Sequence, residues 1–116
     1  MGDGKIDKSL LSGSTTLLLL QLLSEKDMYG YEMIAALRER SNHVFDLKAG
    51  TLYPLLHTLE AQGYVSSRDG VAGGRTRRYY AITPAGRGAL AEQAEQWRTY
   101  ADGVRGVLEG GVTCGA

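Results

Sequence analysis

Cysteine is almost missing from this chain: Cys114 is the only one in 116 residues. No intrachain disulfide can form, which suits a reducing compartment. Cys114 also sits in a Gly-rich tail beside Gly110, Gly111 and Gly115, where the plain reading is a solvent-exposed bystander thiol. Histidine is scarce too. His43, His57 and Cys114 lack any ligand spacing, so no metal site is expected. Without a Gly-rich phosphate loop or a Ser/His/Asp constellation, neither catalysis nor a cofactor is expected. Long apolar runs are absent as well. Leu17–Leu20, extended to Leu22 and Leu23, covers about a third of a membrane span. No small-residue cleavage site follows it, so the expectation is a cytoplasmic protein with neither anchor nor signal peptide.

An excess of one charge is the last absence, with 13 basic against 13 acidic residues. The whole molecule therefore does not advertise nucleic-acid binding, but the distribution does. Arg68, Arg75, Arg77 and Arg78 face only Asp69 within Arg68–Arg78, a net of +3 in eleven residues. Along Ala85–Glu109 three arginines meet four acids. A chain of this size suits one domain with a modest core.

The organising stretch is Ala49–Ile82. Leu52, Leu55, Leu56 and Leu59 fall at i, i+3, i+4 and i+7, the stripe of a short helix. Gly63 is a stop signal. Val65–Asp69, a Gly-rich tip (Gly70, Gly73, Gly74) and Arg75–Ile82 then read as two strands and their turn. Tyr79 and Tyr80 point to opposite faces, and Tyr80, in phase with Ile82, is expected inside. A Leu-backed helix followed at once by a basic hairpin is the layout of a winged helix. On the helix, the face opposite the leucines holds Gly50, Pro54, His57 and Ala61, bordered by Thr51, Tyr53 and Thr58. If Thr51 caps this helix, Pro54 falls in the tolerant first turn; if the helix begins at Ala49, Pro54 lies inside it.

The remaining chain reads as support. Met1–Asp7 is a loose polar leader. Leu10–Ser24 is apolar on nearly every face, as for a central helix that also meets a second subunit. Asp27–Gly30 reads as a turn, and Tyr31–Arg40 as a helix with Met33, Ile34 and Leu37 inward. Thr83-Pro84 opens a last helix, hydroxyl cap then proline. Along it Leu90, Ala94, Trp97, Ala101, Val104 and Leu108 step by 4, 3, 4, 3 and 4 residues. That heptad seam implies a partner helix, and a second copy of the chain is the expected partner. The fold class is thus mainly α with a small β-hairpin. A winged helix-turn-helix spans 8–83, a dimerisation helix spans 84–109, and 1–7 and 110–116 are flexible tails.

Tyr29-Gly30-Tyr31-Glu32, Gly50-Thr51-Leu52-Tyr53-Pro54-Leu55-Leu56, Leu59-Glu60, Gly63, Gly73-Gly74-Arg75, Arg78-Tyr79-Tyr80 and Thr83-Pro84-Ala85-Gly86 together resemble the PadR family of bacterial transcriptional regulators. The similarity runs from about Leu10 to Trp97. It implies a winged helix-turn-helix, a C-terminal dimerisation helix and, usually, repression from a palindromic operator on double-stranded DNA. The single C-terminal helix is similar to the short subgroup. One departure stands out: where many relatives carry Ser or Thr and then Pro before the GTLYP block, this chain has Lys48 and Ala49.

On this reading Lys48, Thr51, Arg75, Arg77 and Arg78 meet phosphate or the minor groove. Tyr53 and His57 are candidates for base edges or nearby phosphates, and Gly50 permits close approach. Paired copies would set two recognition helices about one helical turn (~34 Å) apart. Trp97 is either dimer core or one side of a cavity that stacks a small planar aromatic effector, as some short relatives do. Two other readings stay open: a regulator without an effector, and a winged helix used only for protein contact.

Overall fold

A computed structural model describes residues 14–110; the expectations for 1–7, Leu10, Leu11 and the tail over 111–116, Cys114 included, fall outside the described residues. The elements are α1 (Thr15–Glu25), β1 (Met28–Tyr29), α2 (Gly30–Arg40), α3 (Ala49–Ala61), β2 (Val65–Ala72), β3 (Arg75–Ile82) and α4 (Pro84–Leu108). The three strands form one antiparallel sheet in the order β1-β3-β2. With its helices on one face of the sheet, this is a winged helix-turn-helix extended by one long helix.

Most of the apolar surface of α1 is covered within the chain, while Leu17 and Leu18 are half-buried. Leu19, Leu20, Leu22 and Leu23 are buried, and α1 touches α2, α4 and β3. They join Met33 and Leu37 of α2, Leu52, Leu56 and Leu59 of α3, and Val65 and Tyr80 of the hairpin in one core. Each fully buried Leu contributes about 1.5–3 kcal/mol relative to its exposed state, so this cluster dominates the fold's stability. Ile34 and Leu55 lie at its margin, half-buried. Tyr80 is inside, as the strand phase requires, and burial pushes its phenol pKa up.

Three local readings need correction. Asp27–Gly30 is not simply a turn: Met28 and Tyr29 form β1, pairing with Tyr80 and Tyr79 of β3. A two-residue strand carries no periodicity, so no sequence signal could reveal it. Second, β2 runs on to Ala72, and Gly70 lies inside the strand opposite Arg77. The tip is only Gly73-Gly74, both at positive φ (60° and 76°). This is the two-residue turn whose twist matches the flanking strands. Third, α2 starts at Gly30, where the Tyr29 amide donates to Glu32 Oε1 at 3.1 Å.

Helices α2 and α3 end in the same way. At α3, Gly63 has φ 82°, and the Tyr64 amide reaches back to the Leu59 carbonyl at 2.9 Å, a Schellman close. At α2, Asn42 and His43 adopt φ 59° and 69°, and the His43 amide donates to the Arg38 carbonyl at 2.8 Å. Residue 42 is an asparagine, which tolerates that region; His43 does so at some strain.

Candidate nucleic-acid interface

The start of α3 decides how its outer face is presented. Helical geometry begins at Ala49, with Lys48 at the N-cap and no side-chain cap bond. Pro54 therefore lies inside the helix, where it cannot donate to the Gly50 carbonyl. The position is exposed, so water can satisfy that oxygen. One turn later Thr58 Oγ1 donates to the Pro54 carbonyl at 3.1 Å. The Thr51 amide donates to the Lys48 carbonyl at 3.0 Å. Because Lys48 offers no side-chain cap oxygen, the Ala49 and Gly50 amides are left for solvent or an anion, where the helix dipole favours negative charge.

Gly50, Thr51, Pro54, His57, Thr58 and Ala61 are all exposed along one face of α3. No atom lies within 4 Å of where a Gly50 Cβ would stand, so that glycine is not required by core packing. Tyr53 is placed differently. It is half-buried, and its ring lies over Gly30, where an added Cβ would fall 2.6 Å from Cζ. Gly30 thus exists to admit Tyr53. The ring braces α3 on α2, and it does not stand out from the recognition face.

The cations are mostly paired. Lys48 Nζ is 3.5 Å from Asp46 Oδ2, and Arg38 donates to Asp46 Oδ1 at 3.2 Å. The Arg38 hydrogen bond, and after it the Lys48 charge, holds the Asp46 carboxyl below its usual range. A lowered carboxyl favours the fold above the ordinary Asp pKa, and that contribution fades as pH falls through the lowered value. Arg78 Nη1 lies 3.2 Å from Asp69 Oδ1, whose hydrogen bond is the main cause of the raised Arg78 pKa. Such exposed, solvent-screened pairs are weak, so a phosphate can displace the carboxylate. Arg75, beside the glycine tip, is exposed.

Arg77 departs from its neighbours. It is half-buried, with Cζ 4.9 Å above the Tyr29 ring and Nε buried without a hydrogen-bond partner among the described residues. Arg68 was legible in the sequence only as charge. It takes the matching place over Tyr79 at 5.1 Å and bonds Asp27 at 2.8 Å.

A compact joint links this interface to α4. Thr83 Oγ1 donates to the Gly63 carbonyl at 2.6 Å and accepts from the Gly86 amide at 3.0 Å. The Thr83 amide donates to the Tyr64 carbonyl at 3.0 Å. Gly86 is buried; a Cβ there would run into the Tyr64 carbonyl oxygen and lie 2.8 Å from Ile82 Cγ1. The end of α3 and the start of α4 are thereby held in fixed relation.

Beyond the joint, the predicted seam divides. Leu90 packs against the chain's own core and Ala94 is half-buried. Trp97 is 50% exposed, Val104 38% and Leu108 78%, with Ala101 half-buried between them. Tyr100 and Val107, outside the predicted set, are exposed on the same half-helix. Among the described residues no group of acids, histidines and cysteines could hold a metal, and no helix is long and apolar enough to cross a membrane.

Comparison with known proteins agrees with this architecture. Residues 19–92 match the family described as "Transcriptional regulator PadR-like family". A PadR family transcriptional regulator from Eggerthella lenta is 35% identical, with a TM-score of 0.76 over 89% of this chain and 88% of that one. A PadR-like transcriptional regulator from Bacillus cereus superposes with a TM-score of 0.80 at 26% identity, over 89% of this chain and 99% of that one. Transcriptional regulator Rv3488 of Mycobacterium tuberculosis is 53% identical over 55 residues, 47% of this chain and 51% of that protein.

Proposed function

Because this chain belongs to the PadR-like family of transcriptional regulators, which are not enzymes, we propose that it is a sequence-specific repressor in the cytoplasm. It acts as a homodimer on a palindromic operator in double-stranded DNA. The observation that carries this reading is the pairing of two open surfaces through one rigid joint. At one end stand the exposed Gly50, Thr51 and His57 face of α3 and the basic hairpin; at the other stands the uncovered apolar half of α4. A second copy seated on Ala94, Trp97, Ala101, Val104 and Leu108 buries that half, while Leu90 stays with the chain's own core. The Thr83–Gly86 joint then transmits the dimer geometry to the spacing of the two α3 helices.

In this complex α3 enters the major groove. His57 meets a base edge or nearby phosphate, and Gly50 allows the backbone close to the groove wall. Lys48, Thr51, Arg75 and Arg78 take phosphate, with Asp46 and Asp69 giving way to it. Tyr53 contributes by holding α3 in place. A small planar aromatic ligand between the two Trp97 rings, near the two-fold axis, releases the operator if it binds better to a dimer with the wrong half-site spacing.

Selection of duplexes from a random pool tests the reading. An inverted repeat with half-sites about one helical turn apart is the expected product. Binding of that duplex should weaken with salt at a log–log slope near −0.9 for each phosphate neutralised. Recovery of no preferred sequence, or salt-insensitive retention, would overturn it. The effector is tested by quenching of Trp97 fluorescence with a panel of planar aromatics and by loss of duplex binding at the same concentrations.

A further inference from the structure

We infer that Arg77 is a positioning residue: with Tyr29, Tyr79 and Arg68 it forms a strut that fixes the hairpin against the start of α2. The inference rests on the DNA-binding reading for its binding assay and adds what sets the hairpin's pose.

Strand register puts these side chains on one face. Tyr29 lies opposite Tyr79, Tyr79 opposite Arg68, and Arg77 opposite Gly70. Alternation sends all five to the side of the sheet away from buried Tyr80 and Val65. The Tyr29 and Tyr79 rings meet edge to face, centroids 5.4 Å apart at 76°, the arrangement aromatic quadrupoles favour. Arg77 caps the first ring and Arg68 the second, at 4.9 Å and 5.1 Å, both inside the range for cation–π attraction. Gly70 makes room, since a Cβ there would lie 2.8 Å from Tyr79 Cδ1. Arg68 then closes the row onto Asp27, just ahead of β1.

This row ties the hairpin to the helix-turn-helix. Tyr29 is the residue from which α2 departs, and β1 has only two residues to hold β3 by its backbone. The side-chain stack supplies what so short a ladder cannot. A phosphate ligand would turn its Nε and Nη edge outward for bidentate bonding; Arg77 instead buries Nε and lies on the ring.

The test compares full-length wild type, Arg77→Gln, Arg77→Lys, Tyr29→Leu and the Arg77→Gln/Tyr29→Leu pair. Each is measured across a salt series on the selected duplex and on a mixed-sequence duplex of equal length. Arg77→Gln and Tyr29→Leu should each lower affinity for the selected duplex roughly five- to tenfold, and the pair little more than either. The salt slope should stay within about 0.3 of wild type, since no phosphate contact is lost. Arg77→Lys should not restore affinity, because an ammonium does not stack as a guanidinium does. A slope reduced by about 0.9 in Arg77→Gln, with full affinity in Arg77→Lys, would make Arg77 a phosphate ligand and overturn the assignment. Without DNA, the heteronuclear 1H–15N NOE of Gly73 and Gly74 should fall in Arg77→Gln; no change also overturns the strut. Arg77→Met replaces Arg77→Gln, alone or in the pair, if that variant does not fold. If wild type binds neither duplex, the DNA-binding reading fails, while the amide relaxation still decides the strut.

Discussion

The chain spends its apolar residues in two opposite ways. In the winged body Leu19, Leu20, Met33, Leu52 and Leu56 are all 0% exposed, so the inner face of each helix finds its cover inside the same chain. On the far half of α4, Tyr100 is 64% exposed, Val107 81% and Leu108 78%. Both regions carry large apolar residues; what separates these is cover. A body that satisfies its own hydrophobic faces can fold alone. A helix that projects the same residue types into water is built for a surface it does not carry. The difference separates what makes the fold from what makes the assembly, and substitutions on either side should separate the same way.

The largest expected effect lies in the body. Leu56→Ala removes a side chain from the centre of the core and should cost about 2–5 kcal/mol by urea unfolding. Val107→Ala, on the exposed side of the comparison, should shift the same measurement by no more than about 0.5 kcal/mol. Both are measured below the dimer dissociation concentration, where similar losses would mean that α4 is covered within one chain after all.

Trp97→Asp attacks the other region. A carboxylate at the centre of an apolar seam should weaken the proposed pairing by about 100-fold, or roughly 2.7 kcal/mol. Sedimentation equilibrium reads this directly. Affinity for the selected duplex should fall with it, while the far-ultraviolet circular dichroism of the body stays unchanged. A dimer that survives Trp97→Asp would locate the pairing surface elsewhere.

Between the two regions stands Gly86. Alanine there must push α4 away from the Tyr64 carbonyl and Ile82, an overpacking that costs about 1–3 kcal/mol. More informative is the predicted change in DNA preference. If the joint sets half-site spacing, duplexes selected by Gly86→Ala should differ from wild type in spacer length, with the half-site sequence retained. An unaltered spacer would show that α4 communicates with α3 by another route.

How much of this could be read from the chain follows from the range over which each signal acts. The Leu stripe of α3, the Gly63 stop, the Thr83-Pro84 start and the phase of Tyr80 are local, and the structure reproduces them. What escaped depends on residues far apart in sequence. β1 exists only because β3 lies beside it. Tyr53 turns inward because Gly30, more than twenty positions away, leaves a gap that its ring fills. Arg75, Arg77 and Arg78 look alike in a charge count. Strand alternation separates Arg77 from Arg78, and only the partner strands show that one meets Tyr29 and the other Asp69. The start of α3 also had to come from the backbone, since Lys48 gives none of the usual capping signals.

The smallest effect offers the finest probe of the comparison. Gly106 sits in the uncovered half of α4, and no atom lies within 4 Å of its missing Cβ. In an isolated chain, Gly106→Ala should stabilise the helix by about 0.5–1 kcal/mol, because alanine has less backbone freedom to lose and shields the helix from water. Below the dimer dissociation concentration, helicity should therefore rise and fraying at Leu108 and Glu109 should slow, as amide exchange would register. Above it, the sign reports how near the partner lies. A further gain places residue 106 on the open side of the seam. A weaker dimer shows that a second helix approaches closely enough there for the glycine to be needed.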